Sequence, residues 1–174
     1  MADVRGYTRM TEGLSPLEVT HLANRFYEAG SAALLSADGL LGQIEGDLVM
    51  GLFVPGLAGK NVYRRKSVRG ALRLFEAVGY GGEGNWLNLG IGIATGEEFV
   101  GNVGGGGYKD FTALGDVTNT AARLSSAAAP GELLVDAETY AAVAHDHPQA
   151  ERRELELKGK SVAVEAYAIQ LWKQ

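Results

Sequence analysis

The chain has 174 residues, of which 46% are hydrophobic, with a formal net charge of −5 and a pI near 5.2. That length gives one domain with a core of its own, and the mildly acidic balance excludes a general nucleic-acid binder, which needs a basic face. Cysteine is absent, which excludes disulfides and thiolate zinc sites, and no apolar run reaches the ~18 residues a membrane span needs.

Residues 1–4 read as the end of a strand. Ser15-Pro16-Leu17-Glu18 predicts a helix start, with Ser15 as N-cap, Pro16 at the first position and Glu18 closing a capping box. The helix runs to about Ser36, with Leu17, Leu22, Phe26, Ala29, Ala33 and Leu34 near helical spacing. Leu40 to Ile44 and Leu48 to Phe53 form a hairpin around Glu45-Gly46-Asp47. Residues 55–59 read as a loop. A second helix spans Val62 to Val78, with Val68, Leu72, Phe75 and Val78 inward. Arg64, Arg65, Lys66, Arg69 and Arg73 then form a solvated face.

Trp86 to Ala94 reads as a strand. Val100 to Val103 and Asp110 to Leu114 form a second hairpin around a glycine-rich loop. A third helix runs from Val117 to Ser126, Pro130-Gly131 turns the chain, and Glu132 to Val135 is a strand. Asp136 caps a short helix through Val143, and Leu155 to Lys158 with Val162 to Ile169 closes the chain as a hairpin around Gly159. The order β-α-β-β-α-β predicts an α+β fold. Its core is ferredoxin-like, of the palm type, with helices on one face and a C-terminal α/β extension. Residues 1–174 form a single domain.

In that topology the first and third strands are antiparallel neighbours at the sheet centre. Asp3, at the end of the first, therefore lies beside Asp47, at the start of the third. Two ionised carboxylates in contact repel unless a cation lies between them, and magnesium or manganese suits all-oxygen ligands. The alternative is two turn aspartates capping backbone amides. Asn119 and Arg123 are four apart on the third helix and share a face. An arginine there can stabilise charge on a phosphate, and an asparagine can orient a sugar; the alternative is a surface Asn and an Arg in an ion pair. His21, His145 and His147 have no partners at ligand spacing and read as surface or structural residues.

Together these stretches resemble the class III adenylate/guanylate cyclase catalytic domain, of the bacterial adenylate type. The matching segments are Ala2-Asp3-Val4-Arg5-Gly6-Tyr7-Thr8, the run from Gly46 to Phe53, the run from Gly90 to Glu97, the run from Phe111 to Leu124, and Leu157-Lys158-Gly159-Lys160. They occur in family order over nearly the whole chain. The resemblance implies conversion of a nucleoside triphosphate to a 3′,5′-cyclic nucleotide and pyrophosphate at the interface of a homodimer. It implies that Asp3, Asp47 and the Val4 carbonyl hold two Mg²⁺ or Mn²⁺ ions, with Asn119 and Arg123 supplied by the partner protomer. The backbone of Gly6, Tyr7 and Thr8 would cradle phosphates, and Lys158 or Lys160 would reach the terminal ones.

Base selection departs from the family. Adenylate-type members carry lysine where this chain has Gln43; the companion position is Thr112, as in one bacterial adenylate-type subgroup. Thr112 can accept from the adenine amino group and Gln43 can donate to the neighbouring ring nitrogen, which favours ATP over GTP. Family members also have several apolar residues before the first aspartate, whereas Met1 stands two positions before Asp3. Either the sequence is a piece of a longer chain or the first strand is stunted, and a central strand lacking its first half would lose pairing on both sides and loosen Asp3. The resemblance further implies upstream regulatory or membrane segments and a cytoplasmic protein, or the cytoplasmic domain of a larger one. The rival reading is a non-catalytic homology module that binds nucleotide or only dimerises.

Overall fold

Ser15 opens the first long helix by the chemistry expected of it. In the computed structural model, which describes residues 1–107, 109–156 and 163–170, the Glu18 carboxylate accepts from the Ser15 amide at 2.7 Å while the Ser15 hydroxyl accepts from the Glu18 amide. Pro16 takes the first helical position, where its missing N–H costs nothing. The chain then runs β1 (Ala2–Val4), α1 (Tyr7–Thr11), α2 (Pro16–Ser36), β2 (Leu40–Glu45), β3 (Leu48–Leu52), α3 (Pro55–Ala58), α4 (Tyr63–Ala77), β4 (Leu89–Ile93), β5 (Phe99–Val103), β6 (Asp110–Leu114), α5 (Asp116–Ala127), β7 (Glu132–Asp136), α6 (Ala137–Val143), β8 (Glu151–Leu155) and β9 (Val164–Gln170).

The main sheet has the order β2-β3-β1-β4-β7-β9-β8. Its first four strands, with α2 and α4 as crossovers, are the ferredoxin-like core. β1 is antiparallel to both β3 and β4, β4 is parallel to β7, and β9 is antiparallel to β7 and β8. β5 and β6 form a separate two-stranded hairpin, in register from Phe99 opposite Leu114 to Val103 opposite Asp110.

Alternation along the strands builds two faces. Val4, Val49, Leu89, Ile91, Leu133, Val135 and Ile169 point into one core with Phe26, Val68, Leu74 and Phe75 of α2 and α4. α6 joins that layer through Val143. The expectation of helices on one face holds for the two core helices, but α5 covers the other face. Leu124 and Ala128 pack there with Leu134, Ala166 and Ala168. Gly90 and Gly92 make this possible. A Cβ at Gly92 would fall 2.1 Å from the Ser125 amide nitrogen and 2.3 Å from the Ala121 carbonyl oxygen.

β1 is short, as expected, and the residues it has are paired on both sides. Ala2 and Asp3 pair with Val49 and Leu48 on one side and with Ile91 and Gly90 on the other. Met1 adds an exchanged pair of bonds with Gly92, at 3.0 and 2.9 Å. Beyond Met1 a cavity of about 470 Å³ lies between β3 and β4, walled by α2, α4 and the start of α5, with Glu98 and Thr118 in its lining; neither Asp3 nor Asp47 lines it.

Other local expectations shift for packing reasons. The buried stripe of α2 is Phe26, Gly30 and Ala33, so Leu17 in the first turn stays 64% exposed. Residues 55–58 form a helical turn rather than a loop, with the Leu57 and Ala58 amides bonded to the Val54 carbonyl. The basic face of α4 is only partly solvated. Arg64 pairs with Glu138 and Arg65 donates to the Ala142 carbonyl at 2.8 Å, so both tie α4 to α6. The closing hairpin pairs Glu151–Leu155 with Val164–Ala168; residues 157–162 of the expected hairpin lie outside the described residues.

Candidate active site

Strand register brings the two aspartates together. Asp3 is opposite Leu48, the neighbour of Asp47, and the Val4 amide donates to the Asp47 carbonyl at 3.0 Å. The pair is close enough for its charges to interact. Burial raises the Asp3 pKa first, the Arg5 guanidinium opposes this, and the Asp47 carboxylate raises it further. Arg5 is bound to the Asp3 carboxylate, and its other terminal nitrogen donates to the Ser126 carbonyl at the end of α5 at 2.9 Å. Arg5 thus supplies the positive charge that this carboxylate pair demands. Its Nε is buried without a hydrogen-bond partner, against Gly90.

The donor chemistry fits a hard divalent cation: two carboxylates from adjacent strand ends, and only oxygen. Among the described residues no group of three or more His, Cys, Asp or Glu side chains surrounds a metal-sized space. Completion of a coordination shell therefore falls to main-chain oxygen, water or substrate phosphate.

Gly6 precedes α1 in the left-handed conformation, φ 69°, and Tyr7 and Thr8 open that short helix. Gln43 sits in β2 just past an irregularity in its pairing with β3, and its amide lies 3.4 Å from Glu45 Oε2. Thr112 is buried in β6, opposite Gly101, and β6 packs beside β2. The two proposed base readers therefore sit on adjoining elements of one chain. Asn119 is exposed and Arg123 half-buried on α5, the helix across β4 from the main core. Neither is bonded to the aspartate pair within the chain. Lys158 and Lys160 lie outside the described residues.

A family model described as the adenylate and guanylate cyclase catalytic domain matches residues 1–171. The chain belongs to this family. Over 126 residues, 70% of the chain, it is 31% identical to an adenylate cyclase of Anabaena cylindrica, of which it spans 25%. It is also similar to the crystal structure of the adenylyl cyclase CyaB from P. aeruginosa. That match has a TM-score of 0.81 and 29% identity, and it covers 99% of this chain and 92% of that one. The guanylyl cyclase Cya2 superposes with a TM-score of 0.84 at 25% identity, covering 97% of this chain and 88% of that one.

Within this cyclase domain the structure adds a residue that the sequence pattern did not flag. Tyr27 of α2 donates its hydroxyl to the Gly46 carbonyl at 2.7 Å, which braces the turn that presents Asp47. Burial raises the Tyr27 pKa, and the neighbouring Tyr7 and Asp47 raise it further. No local signal marks Tyr27, because its partner is 19 residues away. No helix among the described residues is long and apolar enough to cross a membrane.

Proposed function

We propose that this cyclase domain converts ATP to 3′,5′-cyclic AMP and pyrophosphate, with each active site shared between two protomers. The observation that carries the reading is the meeting of Asp3 and Asp47 at the β1–β3 ladder. Two Mg²⁺ or Mn²⁺ ions held there would acidify the 3′-hydroxyl and stabilise charge on the triphosphate. Asp3 and Asp47 would hold the ions with their carboxylates, and the Val4 carbonyl would add a neutral ligand. Arg5, paired with Asp3 in this structure, would compete with those ions for the same carboxylate.

Asn119 and Arg123 reach the substrate of the opposite protomer. Their exposed or half-buried setting on α5, with no bond to the aspartates of their own chain, supports that division. Arg123 stabilises charge as it develops on the α-phosphoryl oxygens, and Asn119 orients the ribose. The amides of Gly6, Tyr7 and Thr8 face the outer phosphates, with Lys158 or Lys160 on the terminal ones. The Thr112 hydroxyl accepts from the adenine amino group while the Gln43 amide donates to the ring nitrogen. With the amide flipped, Gln43 would accept from guanine, so GTP is the competing substrate.

Purified protein incubated with Mn²⁺-ATP and with Mn²⁺-GTP, followed for cyclic product, tests the reading. Cyclic AMP is expected to predominate, and Asp47→Ala is expected to lower it by at least about a hundredfold, as loss of a metal ligand does. Undiminished product in that variant would overturn the metal role. Nucleotide binding without turnover at any metal or protein concentration would select the non-catalytic module.

A further inference from the structure

α5 begins without a cap of its own. Gly115 precedes it in an extended conformation and has no side chain to offer the first-turn amides. Those amides need acceptors, and an anion there is doubly favoured because the helix dipole is positive at that end. Glu98 provides it from another part of the chain. One of its carboxylate oxygens accepts from the Thr118 amide at 2.9 Å and the other from the Thr118 hydroxyl at 2.6 Å. The fit is close. A Cβ at Gly115 would lie 2.8 Å from the Glu98 Cβ and 2.9 Å from its carboxylate, so glycine leaves the room that the distant cap uses.

Two adjacencies turn this cap into more than a local bond. Thr118 immediately precedes Asn119, so the clamped residue sets the turn from which Asn119 projects. Arg123 follows one turn later on the same helix. Glu98 also immediately precedes β5, whose Gly101 pairs with Thr112 of β6. One carboxylate therefore joins the helix that carries Asn119 and Arg123 to the base of the hairpin that carries Thr112.

We propose that Glu98 is a positioning residue for the cyclase reaction: through Thr118 it sets the aim of Asn119 and Arg123 and locks that aim to the base-reading hairpin. This rests on the reading under Proposed function. Glu98 itself touches no substrate.

The test compares Glu98→Ala, Glu98→Gln and Thr118→Val in the full chain. In Mn²⁺-ATP assays, Glu98→Ala is expected to lower kcat about tenfold, the scale of a lost charge-assisted hydrogen bond. KM and the Mn²⁺ half-saturation are expected to stay within about twofold, because the altered bond holds the first turn of α5, whereas Asp3 is tied through Arg5 to its last turn. Glu98→Gln keeps an oxygen for the Thr118 amide and is expected to recover most of kcat, whereas Thr118→Val loses only the hydroxyl bond and falls between them. Amide hydrogen exchange at Thr118 and Asn119 gives a readout that needs no turnover, and it is expected to quicken at least about tenfold in Glu98→Ala alone.

A kcat for Glu98→Ala within twofold of the unmodified protein overturns the proposal. So does a joint loss of kcat, Mn²⁺ binding and overall stability that Glu98→Gln does not repair. If the unmodified protein makes no cyclic product, the functional reading fails by itself. Exchange then decides the positioning role: unchanged protection of Thr118 and Asn119 in Glu98→Ala sinks it, and selective loss supports it.

Discussion

Gly92→Ala puts the contact between β4 and α5 to a direct test. The added methyl would lie 2.1 Å from the Ser125 nitrogen, 2.3 Å from the Ala121 oxygen and 2.8 Å from the Leu124 carbonyl carbon. All three are backbone atoms of a helix, so no side chain can swing aside. Contacts below about 3 Å are not tolerated in packed interiors, so α5 must retreat by roughly 1 Å along its length or the strand must bend. Either movement opens the dry layer where Leu124 and Leu134 are fully buried. Overpacking of this kind costs about 3 kcal/mol, which for a domain of this size lowers Tm by about 6–12 °C.

Urea unfolding read by far-ultraviolet circular dichroism measures the loss, with Gly13→Ala as the control because nothing lies within 4 Å of the added atom there. Cyclase activity should fall further than stability alone requires, because α5 carries Asn119 and Arg123. A Gly92→Ala protein within about 0.5 kcal/mol of the parent, with α5 in place, would refute the close-packing argument.

Tyr27→Phe removes the bond to the Gly46 carbonyl, and it should cost about 1 kcal/mol in urea unfolding and raise the Mn²⁺ half-saturation; unchanged metal dependence would show that Tyr27 does not brace Asp47. Arg5→Ala deletes the cation that occupies Asp3, so nucleotide-free Mn²⁺ binding by calorimetry should tighten severalfold, about 1 kcal/mol, and weaker binding would refute the competition. Gln43→Lys replaces a group that can either donate or accept with one that only donates, so the ratio of ATP to GTP turnover should rise about tenfold; an unchanged ratio would remove Gln43 from base selection.

Much of the site's framework was legible because its signals are local. The Ser15 and Glu18 capping box lies within four consecutive residues, and both bonds form as the pattern requires. The order of the core strands follows from element sequence, so the approach of Asp3 to Asp47 is legible in the sequence. The use of Gly90 and Gly92, to admit the backbone of α5, has no local signal and needed the packed structure. Leu17 misled because helical spacing marks a possible stripe and not the one that meets the sheet. Arg64 and Arg65 looked like a solvated face because nothing nearby in sequence reveals that α6 will stand beside them.

The amino-acid sequence by itself determined the order of the core strands and longer helices, the family and the residue types gathered for nucleotide chemistry, since turns, caps and apolar periods act over a few residues. Only the tertiary structure decided that β1 stays paired on both sides, that Arg5 occupies Asp3, and that Tyr27 and Glu98 brace the two halves of the proposed site. Those contacts join residues far apart along the chain, and their geometry exists only after strand register and helix packing have set both partners in place.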